Sequence, residues 1–157
     1  MTTDDVLRTD PPEMVDGDLR VVLVGREPGD PEKGWVPWYR FELRVDGREG
    51  SAGHVHLRVG DVPHVVNEAG HVGYSVVPEC RGHRYAARAA RMVVEFAHAI
   101  GIDPVWITSN PDNVASLRTL EIMGATRVDE VDVTPGTDMY ERGEHRKVRF
   151  RMDGRPR

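Results

Sequence analysis

The sequence predicts an α/β (α+β) fold, in which a mixed sheet is flanked by helices. The chain has 157 residues, which is about the size of one domain. Its middle holds a strand, a helix and a second strand, and another helix follows. The segments on either side alternate apolar and polar residues, as antiparallel strands do. We therefore expect one domain with one site.

The N-terminal part of the chain divides into an arm and the first strands. Residues 1–18 are acidic and contain paired prolines, so we predict a loose arm and leave its docking open. The domain itself spans 19–157. LRVVLV (19–24) is its first strand, and GREPGDPEKG (25–34) is too rich in glycine and proline for a helix. VPWYRFELRV and AGHVHLRVG, joined by the turn DGREGS, are expected to pair as a hairpin.

The central strand, helix, strand unit follows a loop at 60–70. Its strands are HVGYSVV (71–77) and VWITS (105–109). Between them, Tyr85, Ala89 and Val93 recur at helical spacing opposite a stripe of arginines, which predicts an amphipathic helix packed on the sheet. Gly101 and the proline soon after it end this helix.

A second helix is indicated by NPDN. Asn110 or Asp112 is expected to cap it, with Val114, Leu117 and Leu120 on its inner face and Gly124 at its end. Two closing strands, ATRVDEVDV and KVRFRM, complete the predicted order.

Composition excludes several classes of function. The formal net charge of −5 argues against a general nucleic-acid or anionic-membrane binder. With one cysteine the chain can build neither an internal disulfide nor a cysteine zinc site. No apolar run approaches the ~20 residues of a membrane span, and the N-terminus lacks the pattern of a signal peptide. We expect a cytoplasmic protein.

The stretch VVPECRGHRYAARAA (76–90) is the most informative segment. A strand that turns directly into a helix aims several free backbone N–H groups at one point, and the helix dipole favours an anion there. The turn has neither the Gly-Lys-Ser/Thr ending of a Walker loop nor the spaced glycines of a dinucleotide turn. Taken alone, these residues leave an ordinary strand-to-helix turn open.

The longer phrase GYSVVPECRGHRYAARAARMVVEFA resembles motif A of the GNAT superfamily of acyl-CoA N-acyltransferases. The later phrase TSNPDNVASLRTLEIMGA resembles motif B of the same superfamily. Two motifs in the right order, separated by a strand, are more specific than either alone. The matching residues are Val76, Val77, Pro78, Arg81, Gly82, Tyr85 and Ala86 in the first motif and Asn113, Ser116 and Gly124 in the second.

This resemblance implies a fold and a cofactor. The sheet would be mixed and mostly antiparallel, with HVGYSVV and VWITS as a splayed central pair, and here the first helices are reduced or missing. Acetyl-CoA would bind in the splay. Its pantetheine arm would lie along Val76 and Val77, its pyrophosphate on a turn that also includes His83 and Arg84, and Asn113 and Ser116 would complete the site.

The implied activity is transfer of an acetyl group from acetyl-CoA to a primary amine, by direct attack in a ternary complex. The alternative is a non-catalytic domain that only binds acyl-CoA. Two departures favour that alternative. Arg84 stands where the superfamily usually has glycine, so it either takes ordinary helical angles or crowds the phosphate. We expect ordinary helical angles, with its guanidinium over a phosphate. Leu120 stands where many members carry the tyrosine that protonates the leaving thiolate.

Acid and base must therefore come from other residues. His71 is the first candidate for the base, because its ordinary pKa suits the task and some relatives carry a glutamate there. Glu68, Tyr74 and a water chain are alternatives. Tyr140 is the candidate acid, with Ser116 and Cys80 behind it, unless water protonates the thiolate.

The acceptor side is less clearly marked. Trp35, Trp38 and Tyr39 could line it, or belong to the core. His54 and His56 share a strand face but lack a third ligand, so no metal is expected. We also expect Arg88 near the 3'-phosphate of the nucleotide. The partner is a small-molecule or protein amine, and the short segment 25–34 leaves the acceptor side open, which allows a homodimer.

Overall fold

Eight β-strands and four α-helices follow one another along residues 3–154, the part of the chain that the computed structural model describes. The strands are β1 (Met14–Asp16), β2 (Leu19–Glu27), β3 (Trp38–Val45), β4 (Gly53–Arg58), β5 (Val72–Val76), β6 (Val105–Ser109), β7 (Thr126–Asp132) and β8 (Arg146–Met152). The helices are α1 (Thr3–Val6), α2 (Tyr85–Ala99), α3 (Val114–Met123) and α4 (Asp138–Glu141). Short helical turns cover Pro31–Lys33, His64–Ala69 and Pro78–Cys80.

The strands form two antiparallel sheets that meet at one point. The first sheet has the order β1-β2-β3-β4-β5 and the second β6-β8-β7. Where β5 and β6 begin, the backbone N–H of His71 donates to the carbonyl of Trp106 at 2.6 Å. Beyond this bond no ladder joins the two strands within the described residues. The predicted splay of the central pair is therefore confirmed.

Each strand of the first sheet has one buried and one open face. Tyr39, Phe41 and Leu43 of β3 are fully covered, as are Val55 and Leu57 of β4, and α2 packs over them. Burying side chains of this size stabilises the fold by about 1.5–3 kcal/mol each. The opposite face, which we call the open face, carries the alternate residues: Trp38, Arg40, Glu42, His54, His56 and Arg58.

The link between β2 and β3 explains why this face is open. Only the single helical turn Pro31–Lys33 lies in the link, which confirms that the helices expected there in the superfamily are reduced. The open face consequently has no helix from this link lying over it, and its polar side chains face a cavity or solvent.

The N-terminal arm is packed rather than loose along its described residues. Leu7 and Met14 are buried in the core, and β1 pairs with β2. The phenol of Tyr39 donates to the carbonyl of Thr9 at 2.8 Å. Apolar residues hidden among acids and prolines supply the docking, so the prediction of a loose arm does not describe this segment.

The second helix begins later than predicted. Its cap is Asn113, whose side-chain oxygen accepts from the N–H of Ser116 at 3.1 Å, rather than Asn110 or Asp112. Val114 is consequently at the first position of α3 and is 76% exposed, not part of the inner face. Leu120 is fully buried, and Gly124 ends the helix in the left-handed conformation, both as expected.

None of the helices in the described residues is long and apolar enough to cross a membrane.

Candidate active site

The turn between β5 and α2 leaves a row of backbone donors open. After Pro78–Cys80, the N–H of Arg81 bonds back to Pro78 at 3.3 Å. The N–H groups of residues 82–87 have no acceptor among residues 3–154, and no side chain caps α2. Free N–H groups at the positive end of a fifteen-residue helix form an anion site of the kind that phosphates occupy.

Arg84 adopts the left-handed conformation, with φ 61° and ψ 25°, as the cap residue of α2. Our expectation of ordinary helical angles was wrong. It is the only residue other than glycine with positive φ in the described chain. The position therefore demands the conformation that glycine adopts freely, and an L-residue there costs about 1–2 kcal/mol. The guanidinium has no carboxylate partner within residues 3–154, so it is free to meet an anion.

Arg84→Gly is expected to raise the free energy of unfolding by about 0.5–1 kcal/mol, because glycine removes the strain at some entropic cost. Arg84→Ala keeps the strain and should stay within about 0.5 kcal/mol of wild type. Denaturant unfolding measures both. Both variants lose the guanidinium, so each should bind acetyl-CoA about five- to tenfold more weakly. A glycine variant no more stable than the alanine variant would contradict this account of the turn.

The backbone of β5 decides which valine presents a free edge. The N–H of Val77 donates to Ala52 at 2.9 Å, and its carbonyl accepts from Cys80 at 3.0 Å. Because N–H and C=O groups alternate sides along a strand, those of Val76 face away from β4, toward the splay. Of the two valines predicted to contact pantetheine, Val76 has the open edge and Val77 does not.

Two aspartates of the N-terminal arm hold the start of α2. The phenol of Tyr85 donates to Asp18, and Arg88 pairs with Asp16 at 2.8 Å and Asp18 at 2.9 Å. The hydrogen bond from Tyr85, and then Arg88, lowers the pKa of Asp18. Arg88 is thus neutralised by the arm, and the expectation that it serves a 3'-phosphate is not supported. His83 stacks on the Tyr85 ring at 5.2 Å between centroids.

Ser116 and Tyr74 connect α3 to β5. The Ser116 hydroxyl lies 3.2 Å from the phenol of Tyr74, while Asn113 fixes the Ser116 backbone. Burial raises the pKa of Tyr74, so the phenol stays protonated at neutral pH. Leu120, which stands where many members of the superfamily carry a tyrosine, is buried in the core and has no hydroxyl group. Tyr74 and Ser116 supply hydroxyl groups instead.

His71 is a structural clamp at the junction of the two sheets. Its side chain is 0% exposed. Nδ1 accepts from the N–H of Trp106 at 2.9 Å, which places the proton on Nε2, and Nε2 donates to Asp61 at 2.8 Å. Burial lowers the pKa of His71, and Asp61 opposes this only in part. With both nitrogens occupied and no access, His71 has no free lone pair for an amine proton.

A cavity of about 550 Å³ lies on the open face. This volume suits a small molecule or a chain terminus. Trp35, Trp38, His56 and Arg58 form its strand side, and the turn His64–Ala69 and the segment before and within α4 form the opposite side. Lys33 closes one end by pairing with Asp138 at 3.1 Å.

Several predicted residues lie elsewhere. Tyr39 is 0% exposed on the core face, so it cannot line the acceptor side as Trp35 and Trp38 do. Tyr140 stacks on His145 at 4.2 Å and is not among the cavity residues. Cys80 is buried in the core. His54 and His56 stack at 5.1 Å, and no group of three possible metal ligands occurs in the described residues.

His56 adds a pH-dependent contribution to stability. Burial and the neighbouring His54 lower its pKa to about 4. The unfolded imidazole titrates near 6.5, so stability is complete above that pH and is lost as pH falls toward 4. We expect the free energy of unfolding to fall by about 1–2 kcal/mol between about pH 7 and pH 5, since the ring is half-covered.

Denaturant unfolding of wild type and His56→Gln along this pH range tests that expectation. The variant should show a shallower fall, with the remainder due to His71. An identical slope in both proteins would remove His56 as a source of the effect.

The helical turn His64–Ala69 lies in the predicted loop 60–70, where no residue pattern indicates a turn of helix. Here Glu68 is buried and accepts from both the N–H and the hydroxyl of Thr134. His64, which lines the cavity, has Nδ1 3.6 Å from the Glu68 carboxylate. Glu68 therefore holds the turn to the segment after β7, and is not free to act as a base itself.

Two sheets are joined at the residue pair His71 and Trp106 and share no ladder beyond it, and the helix that follows β5 has an uncapped N-terminus. The family model for the acetyltransferase (GNAT) domain matches residues 11–126 of the sequence, and the chain belongs to that family. Acetyltransferases of this family use acetyl-CoA. No curated protein matches the sequence significantly.

Solved structures agree with this fold. The ribosomal-protein-S5-alanine acetyltransferase of Vibrio fischeri has a TM-score of 0.65 at 14% identity, over 90% of this chain and 96% of that one. A ribosomal L7/L12 alpha-N-protein acetyltransferase scores 0.62 at 13% identity, over 90% and 98%. The microcin C7 self-immunity acetyltransferase, solved with acetyl-CoA and AMP, scores 0.56 at 16% identity, over 79% of this chain and 63% of its own.

Proposed function

We propose that this protein is an N-acetyltransferase that transfers the acetyl group of acetyl-CoA to a primary amine in a ternary complex. The observation that carries the proposal is the uncapped start of α2, which follows β5 directly and where the N–H groups of residues 82–87 have no acceptor within residues 3–154. The cavity on the open face supplies a separate place for the amine, so both reactants can be held at once.

In the reaction the amine nitrogen forms a bond to the thioester carbonyl carbon, the carbon–sulfur bond breaks, and the proton lost by the amine is balanced by one gained by the thiolate. The free N–H and C=O groups of Val76 are proposed to align the cofactor along β5. Residues 82–87, including Gly82, His83, Arg84, Tyr85 and Ala86, are proposed to bind its phosphates through their backbone N–H groups.

The hydroxyl pair of Tyr74 and Ser116 is our proposed acid. It takes the place of the tyrosine that many members of the superfamily carry where this chain has Leu120. Its two hydroxyls lie 3.2 Å apart, and the raised pKa of Tyr74 keeps the phenol protonated. Tyr140 is not part of this proposal, because it stacks on His145 away from the cavity lining.

We assign the base to His64 rather than His71. His64 lines the cavity, and the carboxylate 3.6 Å from its Nδ1 would stabilise the imidazolium formed when it takes a proton. The test is the kcat of wild type, His64→Gln and His71→Asn. The kcat should fall about 100-fold in the His64 variant alone. A loss of that size in a folded His71 variant, with none in the His64 variant, would reverse the assignment.

Binding of the cofactor is tested by thermal unfolding with acetyl-CoA, CoA and ATP. A ligand at 100 times its dissociation constant adds about 2.7 kcal/mol to stability. Acetyl-CoA and CoA should each raise the melting temperature, and ATP should not match them. If neither CoA species stabilises the protein, the proposal is wrong.

A domain that binds acyl-CoA without turnover is the second candidate, favoured by the buried Leu120 and the strained Arg84. Both candidates predict stabilisation by CoA. Only the enzyme predicts release of free thiol that depends on an added amine, so this assay separates them.

A further inference from the structure

Arg58 is the unusual charge in the cavity. It lies on β4, lines the cavity and is half-buried. Burial lowers its pKa. Its Nη1 donates to the carbonyls of Gly70 at 3.2 Å and Ala69 at 3.5 Å. No carboxylate pairs with it among the described residues. Carbonyl groups satisfy some of its five donors but leave its positive charge without a counter-charge.

The other charged side chains of the cavity are accounted for. Lys33 is paired with Asp138 at 3.1 Å, and Arg142 with Glu144 at 2.9 Å. His56 is neutral above its pKa of about 4. Glu32 also lines the cavity, from the exposed helical turn Pro31–Lys33. Arg58 is thus the cation of the cavity wall that lacks a carboxylate partner within residues 5–154.

A second donor without an acceptor lies beside it. Trp38 is the direct cross-strand neighbour of Arg58, which places their Cβ atoms about 4.5–5.5 Å apart on the same face. Its indole Nε1 is the one buried side-chain donor in the described chain with no hydrogen-bond partner. The Trp35 ring meets Trp38 edge-on at 6.4 Å, and the His56 ring lies 6.4 Å from it on the other side.

We propose that the acceptor amine carries an anionic group, a carboxylate or a phosphate, which Arg58 binds, and a flat or apolar body that packs against Trp35 and Trp38. This inference rests on the proposed function, since it names the substrate class of that site. The anion supplies the counter-charge that Arg58 lacks, and the guanidinium matches the geometry of either anion through paired N–H groups.

The test is a calorimetric titration of the CoA-saturated protein with three amines on one skeleton: phenethylamine, its para-carboxylate and its para-phosphate ester. At least one anionic amine should bind about tenfold or more tightly than phenethylamine, which corresponds to about 1.4 kcal/mol. The tighter of the two identifies the anion. Equal affinity for all three, or no measurable binding of either anionic amine, would overturn the proposal.

Variants show whether Arg58 is responsible. Arg58→Met should reduce the preference for the anionic amine to about one, and Arg58→Lys should restore part of it. Arg40→Met, which removes another arginine of the same open face that pairs with Glu27 outside the cavity, should keep it. If Arg58 only holds the carbonyls of Ala69 and Gly70, the preference will be absent in wild type or will survive in Arg58→Met, and the proposal is then wrong.

The same titration is independent of turnover. Stabilisation by acetyl-CoA checks that each variant is folded, and it reports on the cofactor site alone. An Arg58-dependent preference without any acetyl transfer would sink the proposed enzyme while leaving the ligand class intact. Transfer to amines without such a preference would overturn the proposed ligand class while leaving the proposed enzyme intact.

Discussion

Tyr74→Phe is expected to lower kcat about 100-fold while leaving the KM for acetyl-CoA within about twofold, because the change removes the proposed general acid and no binding contact. The phenol lies 3.2 Å from the Ser116 hydroxyl, so Ser116→Ala should lower kcat too, by a smaller factor. Since the two hydroxyls act as a pair, the double variant should be little worse than Tyr74→Phe.

The matched control is Tyr140→Phe, the same chemical change at the tyrosine that the sequence favoured as the acid. Steady-state thiol release should find its kcat within about twofold of wild type. A large loss in Tyr140→Phe with none in Tyr74→Phe would exchange the two assignments. Near-normal kcat in both variants would mean that water protonates the thiolate.

His71→Ala is expected to lower the free energy of unfolding by about 2–4 kcal/mol. The change opens a cavity at a fully buried position and leaves the N–H of Trp106 without its acceptor. His71→Asn should lose less, since its side-chain oxygen can take the place of Nδ1. Denaturant unfolding measures both effects.

The kcat of the folded His71→Asn variant tests whether His71 also takes part in the chemistry. Below the unfolding transition, the kcat of His71→Asn should stay within about fivefold of wild type, because His71 affects the reaction only by holding the two sheets together. A variant of unchanged stability with a kcat reduced by orders of magnitude would restore His71 as the base.

The parts of the fold that were predictable have strong periodic signals. The burial of Tyr85, Ala89 and Val93 in α2 follows from their spacing, and the open and core faces of β3 and β4 follow from strict alternation. Alternation also showed that Trp38 and Tyr39, as neighbours in a strand, cannot share a face. Treating both as possible acceptor-site residues overlooked this.

The parts that were missed depend on contacts between distant segments. The turn His64–Ala69 is too short to show a period, and its position depends on Glu68 reaching Thr134. Arg84 has the letter of an ordinary helical residue, but the close of the turn forces its positive φ.

The surroundings of His71 and Arg58 could not be predicted from the sequence for the same reason. His71 reads as a polar residue at a strand edge until Trp106 and Asp61 close around it. Arg58 reads as a solvated charge until the cavity and its missing counter-charge are visible. Local sequence indicates which face a side chain takes, whereas its partners come from other segments of the chain.

The most direct test of the account is an assay of the purified protein with acetyl-CoA and the three phenethylamine derivatives, in which free thiol and acetylated amine are measured together. We predict release of thiol that depends on the amine and matches the acetylated product in amount. Stabilisation by acetyl-CoA with no release for any of the amines would contradict the account and identify a binding domain.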